Sequence, residues 1–273
     1  MAFDYDKYIR PGKLPHIWCP GCGHGIVMKG LIRAIDALGF EKNNTAIVSG
    51  IGCASRLPGY MDCCTLHTAH GRAAAFATGV KMAKPEMNVI CVGGDGDGTA
   101  IGGNHFIHAC RRNINITYII MNNKIYGMTG GQFSPATPTG AKASTTPYGN
   151  PDPPFDIAKL AIGAGATFVA RGTAYHATQI DKLIVEAIQH KGFSVVEILD
   201  DCPTTYGRRN KYKSVIEMMN ELKDIAVPVK AAEKMTPEQL KGKVLTGVLY
   251  KEEKPEYTAE YAKVIERAKG AAK

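Results

Sequence analysis

One stretch constrains this chain more than any other: GGDGDGTAIGGNHFIHACRRNINITYIIMNN, Gly93 to Asn123. It begins where the apolar run NVICVGG (88–94) meets Gly-Asp-Gly, and ends where NITYIIMNN (115–123) meets Asn-Asn. Between them Gly102–Arg112 has a helical pattern. A strand, a helix and a strand in so short a span imply a parallel pair, because a parallel return needs a crossover of about a dozen residues or more. Asp95 and Asn123 then emerge side by side at one edge of a sheet.

The same alternation runs through most of the chain. TAIVSG (45–50) and FSVVEILDD (193–201) read as further buried strands, and Gly25–Leu38, Arg72–Lys84 and about His176–His190 as helices. The expected fold class is α/β: a doubly wound, mostly parallel sheet over residues 1–210, with a helical C-terminal arm over 211–273. Ligands of such sheets bind outside the carboxyl ends of the strands. Thr129–Phe155, rich in Pro, Gly, Ser and Thr, is long enough to be a binding loop. At 273 residues and 45% hydrophobic, the chain can bury one large core.

Composition removes several function classes. The net charge of +8 raises nucleic acid as a partner, but the basic residues are scattered and no aromatic-plus-basic platform accompanies them. No apolar run approaches the roughly 20 residues of a membrane span, and MAFDYDKYIRPGKLPH has no apolar signal region. Neither a nucleic acid nor a membrane partner is expected, and a cytoplasmic location is. Eight irregularly spaced cysteines point to metal or redox use rather than a disulfide scaffold.

The Gly94–Asn123 unit also carries chemistry. The Asp95 carboxylate, the Asn123 amide oxygen and the Ile125 carbonyl can hold an octahedral Mg²⁺ and leave positions for two phosphate oxygens. The glycines admit a diphosphate, and the helix that follows favours its charge. An EF-hand reading fails, since Ala100 and Phe106 occupy the positions that need Gly and Glu. A dinucleotide fingerprint fails for want of a third glycine at the required spacing. Near the N-terminus, WCPGCGHG (18–25) places Cys19 and Cys22 two residues apart among glycines. By itself this is a redox disulfide, half a zinc site or half an iron–sulfur site.

Taken together, WCPGCGHG, GIGCASR, LHTAHGRA, the Gly-Asp-Gly to Asn-Asn unit and NNKIYGMTGGQ resemble, in their order, the β subunit of 2-oxoacid:ferredoxin oxidoreductases. The resemblance covers about residues 14–210. It implies thiamine diphosphate, with Mg²⁺ held by Asp95, Asn123 and Ile125, and with Gly96, Asp97, Gly127 and Met128 near the diphosphate. Ile51, Gly52, Cys53, Ala54 and His70 would contact the cofactor. His70 read without the resemblance is a helix-capping histidine. A [4Fe–4S] cluster would be held by Cys19, Cys22, Cys53 and Cys202, in preference to zinc, because a redox centre has a use beside thiamine diphosphate. The implied reaction is oxidative decarboxylation of a 2-oxoacid with coenzyme A and ferredoxin, or its reverse.

GIGCASRLPGY and IGGNHFIHACRRN look most like the 2-oxoglutarate branch, with Arg56 placed to pair with a second substrate carboxylate. Pyruvate and branched-chain 2-oxoacids stay open, as do a non-redox thiamine diphosphate enzyme and a non-catalytic electron-transfer subunit. Gly130 stands where the family often has a lysine associated with coenzyme A. The glutamate that activates the cofactor has no counterpart here, so a partner α subunit is expected to supply it, in an αβ or (αβ)2 assembly. Cys91 and Cys110 read as buried small hydrophobes, and His105 and His108 as a packed or solvated helix face. Cys63 and Cys64 remain a possible competing thiol pair.

Overall fold

The computed structural model describes residues 3–271. Helix α1 (His24–Ala37) leads into β1 (Thr45–Ser49) and an edge strand, β2 (Cys64–His67). Next come α2 (Ala73–Ala83), β3 (Asn88–Gly94), α3 (Gly103–Arg112) and β4 (Ile116–Asn122). A short hairpin, β5 (Ile125–Tyr126) and β6 (Gln132–Phe133), precedes α4 (Ile157–Gly163), β7 (Phe168–Thr173), α5 (Ala177–Gln189) and β8 (Phe193–Leu199). Then follow α6 (Val215–Ile225), β9 (Ala226–Pro228), the one-turn helices α7 (Val229–Ala232) and α8 (Pro237–Leu240), β10 (Val244–Lys251) and α9 (Tyr257–Ala271).

Among the described residues the main sheet has eight strands in the order β2-β1-β3-β4-β8-β7-β10-β9. The first six run parallel, and β10 returns antiparallel to β7. Every residue of β4 and β8 is buried, which is why their sequences are mostly apolar rather than alternating. The alternation survives in the choice of face. Ile119 and Met121 pack under α1 and α5, while Ile116, Tyr118 and Ile120 pack under α2, α3 and α4. On α1 the residues Val27, Leu31 and Ile35 recur one turn apart and form the stripe that meets the sheet. Asn113, left-handed at φ 51°, ends α3, and its side-chain oxygen accepts from Phe193 N at 2.9 Å and Thr167 Oγ1 at 2.7 Å. One amide thereby ties the start of β8 to the approach to β7.

Beyond residue 210 the chain is more than a helical arm. It supplies α6 to α9, but β10 also pairs with β7, Gly247 opposite Arg171, and β9 pairs with β10. This covers what would otherwise be an open sheet edge at β7. Arg171 is buried in β7 and donates through Nε to Glu197 at 2.7 Å and through a second nitrogen to Asp156, while Asn122 Nδ2 donates to Glu197 at 2.8 Å. Burial opposes the guanidinium charge, but the two carboxylates hold its pKa above the ordinary value. Among the described residues no helix is long and apolar enough to cross a membrane.

Candidate functional site

Four strands of the sheet, β1, β3, β4 and β8, deliver their carboxyl-terminal loops to one place. Parallel register sets Gly94 opposite Met121, so Asp95 and Asn123 leave adjacent strands together. They line a partly open cavity at this edge of the sheet. The loop after β1 adds Ile51, Gly52, Cys53 and Ala54 to its wall, and the turn before α2 adds His70. Gly96 and Asp97 come from the π-helical turn after β3, and Ile125, Gly127 and Met128 from the segment after β4. Every residue expected at the cofactor or at Mg²⁺ therefore lines this one cavity. Arg56 does not. It sits exposed on the 3-10 turn Ala54–Gly59 that continues from the wall.

Asp95 is 1% exposed, and Ser134 Oγ donates to its carboxylate. Ser134 belongs to the long Thr129–Phe155 connection, which packs against the site. Burial pushes the Asp95 carboxyl up to about 7. A buried carboxylate beside an amide oxygen is a donor set that suits a hard dication, whose charge would hold the carboxyl ionised.

Asp97, in the same wall, also fastens its neighbours together. Its Oδ1 accepts three hydrogen bonds: from Ile51 N at 3.0 Å, Gly71 N at 2.8 Å and His70 Nδ1 at 2.6 Å. One carboxylate thus pins the loop after β1, the turn before α2 and the His70 ring. With Nδ1 held, Nε2 is the nitrogen His70 has left for a ligand, and the ring leans edge-on to Tyr126 at 5.9 Å. Gly96 also serves Tyr126, since a Cβ there would lie 2.4 Å from the ring, whose hydroxyl donates to Gly96 O at 3.0 Å. Tyr126 and His24, both cavity-lining, are not identified by the sequence patterns.

The four expected cluster cysteines arrive from separate stretches. A Cβ built on Gly127 would lie 3.3 Å from Cys202 Sγ and 3.7 Å from Cys53 Sγ, so both sulfurs flank the same glycine at the cavity wall. Trp18 Nε1 donates to Cys53 O at 2.8 Å and ties the Cys19–Cys22 turn to the loop after β1. All four thiols are free, with Cys19 exposed and Cys202 buried. Burial pushes the Cys53 thiol up to about 11; the nearby His24 opposes this, and Cys202, Cys22 and Cys19 add to it. Such a gathering of unpaired thiols suits a cation-rich group that takes them as thiolates. Cys91 and Cys110 are fully buried in strand and helix, whereas Cys63 and Cys64 lie at the exposed sheet edge. His105 and His108 face a shallow groove between α2 and α3.

The fold and site define a class. Residues 50–198 match the family described as "Thiamine pyrophosphate enzyme, C-terminal TPP binding domain". The chain is 51% identical over 263 residues to the 2-oxoglutarate synthase subunit KorB of Methanocaldococcus jannaschii, covering 96% of this chain and 97% of that one. It is 60% identical over 204 residues to the KorB of Archaeoglobus fulgidus, covering 75% and 76%. A solved 2-oxoglutarate:ferredoxin oxidoreductase from Magnetococcus marinus, with 2-oxoglutarate, coenzyme A and succinyl-CoA bound, superposes with a TM-score of 0.87. That match has 38% identity and covers 97% of this chain and 91% of that one. The chain belongs to the family of β subunits of 2-oxoacid:ferredoxin oxidoreductases.

Proposed function

We propose that the chain is the β subunit of a 2-oxoglutarate:ferredoxin oxidoreductase, interconverting 2-oxoglutarate and coenzyme A with succinyl-CoA and CO2. The observation that carries this is the convergence of two donor sets at one sheet edge: oxygen donors Asp95 and Asn123 in the cavity, and four free cysteines beside it. Thiamine diphosphate bound there with Mg²⁺ supplies carbanion chemistry at a 2-oxoacid carbonyl, and a [4Fe–4S] cluster supplies a one-electron acceptor.

The chain's own residues bind, orient and exclude water. Asp95, Asn123 and the Ile125 carbonyl hold the dication. The backbone of Gly96, Asp97, Gly127 and Met128 borders the diphosphate. His70, its ring fixed by Asp97, presents Nε2 to the anionic ligand. Cys19, Cys22, Cys53 and Cys202 would hold the cluster within the same wall, where it would supply a one-electron acceptor. Cys19 leaves that corner exposed, the side from which a ferredoxin would approach. Arg56 reads the distal carboxylate of 2-oxoglutarate from the rim. An α subunit closes the cavity and contributes the activating glutamate.

The test is steady-state viologen reduction by the complex purified anaerobically with its α partner. CoA-dependent turnover with 2-oxoglutarate well above that with pyruvate supports the reading. Pyruvate preference, or turnover without coenzyme A, refutes it.

A further inference from the structure

Lys124 stands between two of the expected dication donors, Asn123 and Ile125, and its backbone is left-handed at φ 64°. A non-glycine residue rarely takes this conformation, which persists only where the surroundings impose it. Here they do so from three sides. The Lys124 N–H donates to Asn122 Oδ1 at 3.1 Å, and Asn122 Nδ2 is itself tied to Glu197. The Lys124 carbonyl accepts from Thr137 Oγ1 at 2.6 Å, in the long connection that also supplies Ser134 to Asp95. The side chain runs to α6, where Nζ lies 3.5 Å from Glu221 Oε1 and 5.9 Å from the centroid of the Tyr206 ring. Tyr206 belongs to the turn Pro203–Gly207, directly after Cys202. Glycine would take the left-handed backbone without strain, so the stem and the ammonium are what a lysine adds at this position.

We infer that Lys124 is a positioning residue, a strut from Glu221 and Tyr206 that turns the Asn123 amide oxygen and the Ile125 carbonyl toward one dication. The inference rests on reading those two groups as donors to Mg²⁺. Asn123 Oδ1 accepts from Ile125 N at 3.4 Å, so both donors ride on one tight turn with Lys124 at its centre. A displacement of Lys124 moves both, and octahedral Mg²⁺ tolerates little displacement of its oxygens. The strut makes cofactor binding depend on α6, which lies beyond the residues 50–198 that match the thiamine diphosphate family.

The test is calorimetric titration of the chelator-treated complex with thiamine diphosphate, with and without Mg²⁺, beside thermal melting. Lys124→Gly relieves the backbone and removes the strut, so melting should stay within about 3 °C of wild type. Its Mg²⁺-dependent binding should weaken about fivefold, the scale of one partly exposed ion pair. Glu221→Gln keeps an acceptor for Tyr212 and should weaken binding equally, with the double variant no weaker, because the two groups make one contact. Lys124→Arg keeps the charge and the contact with the ring and should stay close to wild type. Unchanged binding in Lys124→Gly overturns the inference, as does a double variant that loses the product of the single effects. Melting lowered in step with binding overturns it too, since the lysine would then merely hold the fold. Tighter binding in Glu221→Gln would assign the freed ammonium to the diphosphate and overturn the strut. A wild-type complex that binds thiamine diphosphate equally with and without Mg²⁺ overturns the donor reading of Asn123 and Ile125, and the inference with it.

Discussion

Replacing Asp97 with Asn separates two roles that its motif leaves confounded. In the structure Oδ1 is engaged with Ile51 N, Gly71 N and His70 Nδ1, and the side chain is buried. Asn keeps an acceptor oxygen for the two backbone donors but removes the charge that holds the His70 ring. A hydrogen bond to a charged group contributes about 1.5–3 kcal/mol and a neutral one about 0.5–1.5, so the His70 contact loses about 1 kcal/mol. At 1.4 kcal/mol per tenfold, thiamine diphosphate binding should weaken about fivefold. The assay is calorimetric titration of the cofactor-free complex with thiamine diphosphate at saturating Mg²⁺, with thermal melting as a fold control. Were the carboxylate facing the diphosphate, its removal would relieve repulsion and tighten binding. Unchanged or tighter binding refutes the positioning role.

The remaining outcomes follow from the same geometry. Asp95 binds its proton more tightly folded than unfolded, so the metal-free fold loses stability as pH rises from the usual carboxylate range toward about 7. Mg²⁺ must displace that proton, so its affinity should fall below pH about 7, approaching tenfold per unit, as read by titration calorimetry. Cys53→Ser and Cys202→Ser should lose most of the iron measured per chain, while Cys63→Ser and Cys64→Ser keep it; equal iron in all four would remove Cys53 and Cys202 from the ligand set. Arg56→Ala should raise KM for 2-oxoglutarate far more than for pyruvate, and equal effects would dismiss Arg56 as the distal-carboxylate partner. Glu197→Ala leaves buried Arg171 with Asp156 alone and should cost about 3 kcal/mol in denaturant unfolding, the low end for a broken buried pair, with less than about 1 kcal/mol arguing against the buried network.

Legibility in the sequence tracked how locally each feature is determined. The helix bounds fall within one residue of the expected ones, because periodicity and flanking glycines are local signals. The four apolar runs are β1, β3, β4 and β8, four adjacent strands of the sheet. Strand β7, FVARGT, escaped because Arg171 breaks its apolar run, and only the fold supplies Glu197 and Asp156 to neutralise it. β2 is short and exposed, so CTLH looks like a loop. VLTGVLYK was absorbed into a charged helical arm because its pairing with β7 is a distant contact. At the site, the residues expected at the cofactor and at Mg²⁺ all line one cavity, while Tyr126 and His24, which the same motifs contain, were not singled out. The bonds of Asp97 to Ile51, Gly71 and His70 were not legible, since Gly-Asp-Gly-Asp cannot tell which way a carboxylate turns. His24 lay in plain view within WCPGCGHG, yet its partner Asp200 is 176 residues away.

The central claim, that one sheet edge holds both a thiamine diphosphate site and a four-cysteine redox site, is tested most directly by the metal content of the anaerobically purified complex. Iron and acid-labile sulfide should be measured together with zinc, and compared between the wild type and Cys202→Ser. The account predicts a brown complex in which Cys202→Ser removes about four irons per β chain, the content of one [4Fe–4S] cluster. A colourless complex with zinc at these cysteines, or iron that is indifferent to Cys202, would contradict it.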